Sequence, residues 1–393
     1  MAWRTCLWIA GSLVAWAWVS RLVEAAMGMR TVADISRPEW DLSPADQALV
    51  TIIVPARNEE ADIERTLTSL LRLDYENYQI IAVDDRSTDS TGRIIEELAR
   101  SQSGAATRGR LSVLHVDRLP PGWLGKTHAM WAAAQQARGD WLLFTDADVC
   151  FQPDSLRRAL AYAEREPADH LVVLPRIIMK TPGERMMVAF FQTLFLFGHR
   201  PWKVADPRAE DHMGVGAFNL LRRSSYEAVG SYKRLRMEVL DDMKLGKVVK
   251  KAGFRQRNVF GGDLISVYWV RGTLGMVANL SKNLFAILSF EWPRTMLTCL
   301  TLAFLNLWPF AGFGLASGVA RIPYAIALLA LALLYVGMST KSPIPPYYFF
   351  LHPISSTLFI YALLQSAVLT LVRDGIIWRG TKYALAELRR GKV

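Results

Sequence analysis

Cysteine is scarce. Only three occur among 393 residues, Cys6, Cys150 and Cys299, each in or beside an apolar stretch and none at a metal-ligand spacing. A disulfide framework and a thiolate metal site are both excluded. Glycine-rich phosphate loops are missing as well. Neither Gly-x-Gly-x-x-Gly nor Gly-x-x-x-x-Gly-Lys-Ser/Thr follows an apolar run, which argues against a nicotinamide dehydrogenase and a P-loop ATPase. There is no internal repeat and no zinc-finger spacing. The 46 Lys and Arg against 36 Asp and Glu leave a formal charge of +10, yet no basic run is interleaved with aromatic residues, so nucleic acid is not an expected partner.

The basic residues instead flank apolar blocks, at Lys282, Arg294, Arg373, Arg379, Lys382, Arg389, Arg390 and Lys392, a placement suited to an anionic membrane surface. Hydrophobic residues make up 51% of the chain and are segregated into residues 6–20 and 296–372. Within the second block, 295–319, 322–338 and 348–371 are each long enough as helix for a hydrocarbon core of ~30 Å. Pro309 and Gly312 are tolerated in such helices. Arg4 before the N-terminal run, and Arg21 and Arg30 after it, fit a signal anchor. Residues 186–198 and 274–290 are strongly apolar but too short to span, which leaves an interfacial or a core helix for each. The expected organisation is an anchor at 1–30, a mixed-polarity domain at 49–263, an interfacial segment at 264–294, transmembrane helices at 295–372 and a basic tail at 373–393. Residues 101–110 are expected to be a polar surface loop. One N-terminal and three C-terminal spans would put the tail across the membrane from the domain, whereas its Lys and Arg favour the cytoplasmic side. One apolar segment is therefore expected to be re-entrant or interfacial.

In the middle domain, residues 49–55 form a β-rich apolar run, followed by Ala56-Arg57-Asn58-Glu59-Glu60 and an amphipathic pattern with Ile63, Leu67, Leu70 and Leu71 on one face. This is the start of a βαβ unit. Residues 79–83 form a second strand ending in Asp84-Asp85-Arg86-Ser87-Thr88-Asp89, where Thr88 or Asp89 can cap a helix carrying Ile94, Ile95 and Leu98. A third strand at 111–116, a helix at 127–138 and a fourth strand in Trp141-Leu142-Leu143-Phe144-Thr145-Asp146-Ala147-Asp148 complete the pattern. Strands alternating with helices predict an α/β fold with a mostly parallel sheet covered on both faces. Ligands of such sheets gather outside the carboxyl ends of the strands. Glu59, Asp85, Asp146 and Asp148 stand there, with Lys126 and Arg86 nearby. Hard oxygen ligands in this arrangement suit Mg²⁺ or Mn²⁺ held on a diphosphate. A solvated turn is the alternative for Asp146 and Asp148 taken alone.

Val54-Pro55-Ala56-Arg57-Asn58-Glu59, Val83-Asp84-Asp85-Arg86-Ser87-Thr88-Asp89, Gly125-Lys126, Thr145-Asp146-Ala147-Asp148 and Leu240-Asp241-Asp242 resemble, in order and spacing, the motifs of inverting family 2 glycosyltransferases. The likeness covers about residues 49–262. Pro120-Pro121-Gly122-Trp123-Leu124 and the C-terminal apolar helices resemble the lipid-modifying members that act on hopanoids, carotenoids and, more distantly, ceramide. The resemblance implies a GT-A domain with N- and C-terminal transmembrane helices in a cell membrane, the domain being cytoplasmic. It also implies metal-dependent single displacement, moving a sugar from a nucleotide donor, UDP-linked, to a lipid hydroxyl. It assigns donor contacts to Pro55, Ala56, Asn58, Glu59, Asp84, Asp85, Lys126 and Asp146, metal contacts to Asp148 and Asp146, and the catalytic base to Asp242, with Asp241 beside it.

Carboxylates at the start of a helical pattern over 243–252 also suit the helix dipole, a reading compatible with a base. A retaining double displacement would need a second carboxylate, and Asp241 and Glu238 are the nearby ones. The Gln-x-x-Arg-Trp sequence of polysaccharide-building members is absent between Asp242 and Pro293, which argues against a processive synthase. Trp269 and Arg271 occupy that region and, with Gly216, are the expected acceptor or closing residues. The rival readings are transfer to a polyprenyl phosphate and a non-catalytic membrane adaptor.

Overall fold

The computed structural model describes residues 2–101 and 109–391; most of the polar loop expected at 101–110 lies outside the described residues. The chain divides into two compact units, one of residues 1–31, 179–202 and 270–376, the other of 32–178, 203–269 and 377–393.

The second unit is built on β1 (Val50–Ala56), β2 (Tyr78–Asp85), β3 (Leu111–Val116) and β4 (Trp141–Phe144). These strands run parallel in the order β3-β2-β1-β4. Asn219–Arg222 follows antiparallel to β4, and His170–Leu174 and Gln256–Phe260 finish a seven-stranded sheet. Side chains alternate across it. Ile52 and Val54 of β1 enter the layer that holds Leu67 and Leu70 of the Ile63–Leu71 helix, while Ile53 enters the opposite layer with Met130 and Phe144. Because both faces are covered, the strands read as unbroken apolar runs rather than alternating ones. Each run stops where the carboxylates begin, so the sheet delivers the Glu59, Asp85 and Asp146 loops to one edge. Directly after Asp148, Val149–Phe151 pairs with Ile265–Val267 in a small second sheet.

A buried polar chain braces the far side of the large sheet. Gln256 Nε2 donates to His170 Nδ1 at 2.7 Å and to the Gly246 carbonyl at 3.0 Å, its Oε1 accepts from the Met213 amide at 2.8 Å, and His170 Nε2 donates to Asn219 Oδ1 at 3.1 Å. With Nδ1 an acceptor, the ring is neutral, and burial pushes its pKa down to about 4 from 6.5. Between those two values the unfolded chain binds one more proton than the folded one. Stability should therefore fall as pH drops from about 7 towards 4, by on the order of 3 kcal/mol from this residue. Denaturation midpoints at pH 7.5 and pH 5 check this: the drop should be smaller in His170→Gln than in wild type, and equal drops would refute it.

In the first unit, three helical segments, Trp3–Thr31, Gly318–Ser339 and Pro346–Val372, are long and apolar enough to cross a membrane. The run expected as a single span at 295–319 is instead two helices, Trp292–Asn306 and Trp308–Leu315, bent by 49°. Pro309 explains the break. It lacks the N–H that would bond the Leu305 carbonyl, and the freed carbonyl accepts from the Trp18 indole at 2.8 Å. Residues expected to form a short apolar helix at 186–198 lie in Pro182–Gly198, opened by a Thr181/Glu184 capping box and packed as a core helix, with Phe190 against Phe359 and His352. A set of the unit's polar side chains points inward. Tyr335 donates to His352 Nδ1 at 2.9 Å and His352 Nε2 to Asn306 Oδ1 at 3.0 Å, whereas Trp16, Leu297, Leu300 and Val372 face outward. A buried polar set beneath an exposed apolar surface is unlike a water-facing bundle.

Candidate active site

The loops after β1, β2 and β4 are stitched together by their own polar side chains. Asn58, at φ +54°, a conformation that Asn tolerates better than most residues, donates its amide to Ser87 Oγ at 3.1 Å and accepts from the Thr88 amide at 2.8 Å. The Glu59 amide donates to Thr91 Oγ1 at 2.8 Å, and Asp89, one of the two expected caps, accepts from the Thr91 amide at 3.0 Å. The neighbouring acids part ways. Asp84 accepts from the Ser87 amide and contacts the His115 ring at 3.3 Å, holding its own turn. Asp85 is buried and forked onto Arg86 at 2.8 and 3.0 Å. A Cβ at Gly125 would lie 2.4 Å from that carboxylate, so glycine there lets the next residue approach. That residue is Lys126, at the start of the Gly125–Gln136 helix.

Lys126 Nζ lies 2.7 Å from Asp146 and 3.6 Å from Asp241. Burial works against its charge, but Asp146, Asp241 and Asp242 together hold the ammonium above the usual lysine range. Asp241 and Asp242 open the Asp241–Lys251 helix. Asp242 is fixed by two backbone amides, accepting from Met243 at 2.7 Å and from Gly216. Gly216 also accepts the Asp146 amide at 2.9 Å, and a Cβ on it would come within 2.2 Å of the Asp146 carboxylate. At Gly214 a Cβ would stand 1.8 Å from the Asp242 carbonyl, and at Gly246 1.9 Å from that of Met213. The helix and the 213–216 segment are thus in backbone contact, and this sets the spacing between Asp146 and Asp242.

The edge carries more negative charge than its cations balance. Burial first, then the Asp146 and Glu59 carboxylates, push Asp148 well above the usual carboxylate range. Burial raises Asp241 and Asp242 as well, against the pull of Lys126. Among the described residues no three His, Cys, Asp or Glu side chains are grouped to hold a metal unaided. Crowded carboxylates without a full ligand set fit Mg²⁺ or Mn²⁺, which take one or two carboxylates and complete their shell with phosphate oxygens and water.

Residues 51–230 match the model of glycosyl transferase family 2. That stretch of the chain is similar to glycosyl transferase family 2. The chain is similar to 4,4'-diaponeurosporenoate glycosyltransferases, with 22% identity over 63% of this chain and 64% of the protein from Staphylococcus haemolyticus. Against the protein from Staphylococcus aureus the identity is 28% over 58% and 60%. The chain therefore spans less than two thirds of the length of these relatives. In fold it is similar to the mannosyltransferase PcManGT from Pyrobaculum calidifontis, solved with GDP-Man and Mn²⁺, at a TM-score of 0.56 and 19% identity over 94% of this chain and 99% of that one. The domain built on β1–β4 has the GT-A fold.

Of the residues read from the sequence, Glu59, Lys126, Asp146, Asp148, Gly216, Asp241 and Asp242 come together. Trp269 ends its segment of the domain's unit, just past Ile265–Val267, and Arg271 belongs to the other unit. Three contributors to the site were not foreseen. Gly214 carries no signal beyond being a glycine in Gly-Val-Gly. The others are Arg379 and Tyr383. Residues 373–393, expected as a basic tail, include a paired hairpin, Gly375–Trp378 with Thr381–Ala384, and the Leu385–Arg390 helix. From this hairpin Arg379 pairs with Glu59, and the Tyr383 hydroxyl accepts from the Gly125 amide at 3.1 Å. The legible signal was Arg379-Gly380, a two-residue turn between β-rich segments.

Proposed function

We propose that the protein moves a sugar from a nucleoside-diphosphate donor to a hydroxyl of an apolar lipid of the carotenoid kind, with inversion. The observation that carries this is the gathering of Asp146, Asp148, Lys126 and Asp242 at the carboxyl edge of the parallel strands. Ala56, Asn58, Glu59 and Asp85 line the nucleoside end, with Pro55 and Asp84 shaping the turns beneath them. Lys126 neutralises the diphosphate end. Asp148 and Asp146 would hold a divalent ion, which when bound would supply counter-charge to the diphosphate.

Asp242 takes the proton of the acceptor hydroxyl as its oxygen bonds to the anomeric carbon, and the bond from that carbon to the phosphate oxygen breaks, releasing the nucleoside diphosphate. Gly216 holds Asp242 in place through its amide. One base and a single displacement invert the anomeric centre.

The outward apolar helices support membrane residence, and cytosolic nucleotide sugars put the domain on the cytoplasmic side. Because residues 377–391 pack within the same unit as the Arg57–Glu59 loop, the stretch from 270 to 376 crosses the bilayer an even number of times on this reading. Gly318–Ser339 and Pro346–Val372 are then the two crossings, and the bent Trp292–Leu315 pair turns back.

The test is transfer of label from a panel of radiolabelled nucleotide sugars into the organic phase, using membranes, added Mg²⁺ or Mn²⁺ and host lipid extract. Label in lipid that disappears with EDTA and returns on adding Mn²⁺ is expected. No lipid label from any donor, with folded protein and acceptor lipid present, would overturn the reading.

A further inference from the structure

The segment 377–391 touches, one after another, the loops that carry the site. At its tip Arg379 and Gly380 have φ of +47° and +78°, the positive pair that a type I′ hairpin turn requires. Glycine suits the second position, but arginine at the first is uncommon. That conformation aims the guanidinium at the end of β1, where it pairs with Glu59 and donates to the Arg57 carbonyl at 2.6 Å. Arg57 returns a bond to Thr381 Oγ1 at 3.3 Å. Tyr383, buried at 6% exposure, meets the Gly125 amide beside Lys126 and also hydrogen-bonds Arg86. The helix that follows buries Leu385 and Leu388, and Gly391 packs so tightly on Met237, just upstream of Asp241, that a Cβ would lie 2.2 Å from it.

A tail that only needed to pack had no reason to place a strained arginine on the one loop carrying both Asn58 and Glu59. Backbone strain of this kind persists where the surrounding contacts over-determine it and clusters at ligand clamps. We infer that 377–391 is the closing element of the donor site, and that Arg379 is a positioning residue that fixes the Arg57–Glu59 loop for the nucleoside end of the donor. The inference rests on the nucleotide-sugar reading above.

The experiment is titration of detergent-purified full-length protein with UDP and with GDP, each with Mn²⁺, alongside donor KM and kcat. The proteins are wild type, Arg379→Ala, Arg379→Lys, Tyr383→Phe, Lys382→Ala and Asp146→Asn. Arg379→Ala should weaken nucleotide binding and raise donor KM by about tenfold or more, roughly 1.4 kcal/mol, with kcat within about threefold. Arg379→Lys should recover most of the loss. Tyr383→Phe should show a smaller loss in the same direction. Lys382→Ala, which removes an exposed charge from the same segment, should match wild type. If Arg379→Ala and Tyr383→Phe lower thermal stability but leave Kd and KM at wild-type values, the segment is only packing and the inference falls. Equal losses in Arg379→Ala and Lys382→Ala would reduce it to a net-charge effect and overturn it too. Absence of nucleotide binding in wild type itself would instead bring down the nucleotide-sugar reading, and the closure with it; binding lost in Asp146→Asn but kept in Arg379→Ala would spare that reading and sink only the closure.

Discussion

Asp242→Asn should lower sugar transfer by about 10²- to 10⁴-fold, the usual consequence of losing a positioned general base, while nucleotide binding stays near wild type. The asparagine is isosteric, and its carbonyl oxygen can still accept from the Met243 amide that orients the native carboxylate. What disappears is the capacity to take a proton. Asp242 suits the role better than Asp241, which is deeply buried and faces Lys126. A carboxylate raised by burial is also a stronger base than a solvated one. The measurement is kcat for transfer to lipid with donor saturating, together with the anomeric configuration of the product by NMR. A loss below about threefold would remove Asp242 from the base role and favour an acceptor that is already anionic, such as a polyprenyl phosphate. A retained anomer would point to a carboxylate nucleophile instead.

Gly214→Ala should cost about 10²-fold in transfer, although residue 214 has no side chain to offer the chemistry. Its Cβ would be placed 1.8 Å from the Asp242 carbonyl. That neighbour is backbone at a helix start and cannot rotate away, so the helix or the 213–216 segment must move. A displacement near 1 Å of a catalytic group is enough for an effect of this size. The pair Gly214 and Gly246 explains why no side chain fits between these elements, and Gly246→Ala should behave alike. Gly198→Ala, where a Cβ meets nothing within 4 Å, should leave transfer unchanged. Activity, nucleotide binding and melting temperature of the three variants decide the matter: normal transfer by a folded Gly214→Ala would refute the backbone-spacing argument.

The parallel core was legible because β1, β2 and β4 are covered on both faces, so their apolar runs are continuous and end abruptly in Glu59, Asp85 and Asp146. The antiparallel Asn219–Arg222 strand was not. Four residues have no periodicity to read, and its place beside β4 comes from pairing along the sheet. The break at Leu307 was half legible, since Pro309 marks a lost hydrogen bond, but the Trp18 indole that satisfies the freed carbonyl lies 287 residues away in sequence. Arg379 escaped for the same reason. Its basic neighbours read as a membrane-facing tail, and only a contact over 320 residues gives it Glu59 as a partner.

That separation has a consequence in time. The ribosome makes β1 before residues 377–391, with every apolar helix of residues 270–376 made between them. Contacts of such span are also the slowest to form, since a long loop must close before they are gained. If the tip around Arg379 closes the donor pocket as inferred, the nascent domain has its strands and acids but an unfinished pocket until the apolar helices have been synthesised. On the proposed function, competence for catalysis would then arrive together with membrane insertion, and a chain released prematurely from the ribosome would be unable to consume nucleotide sugar in the cytosol.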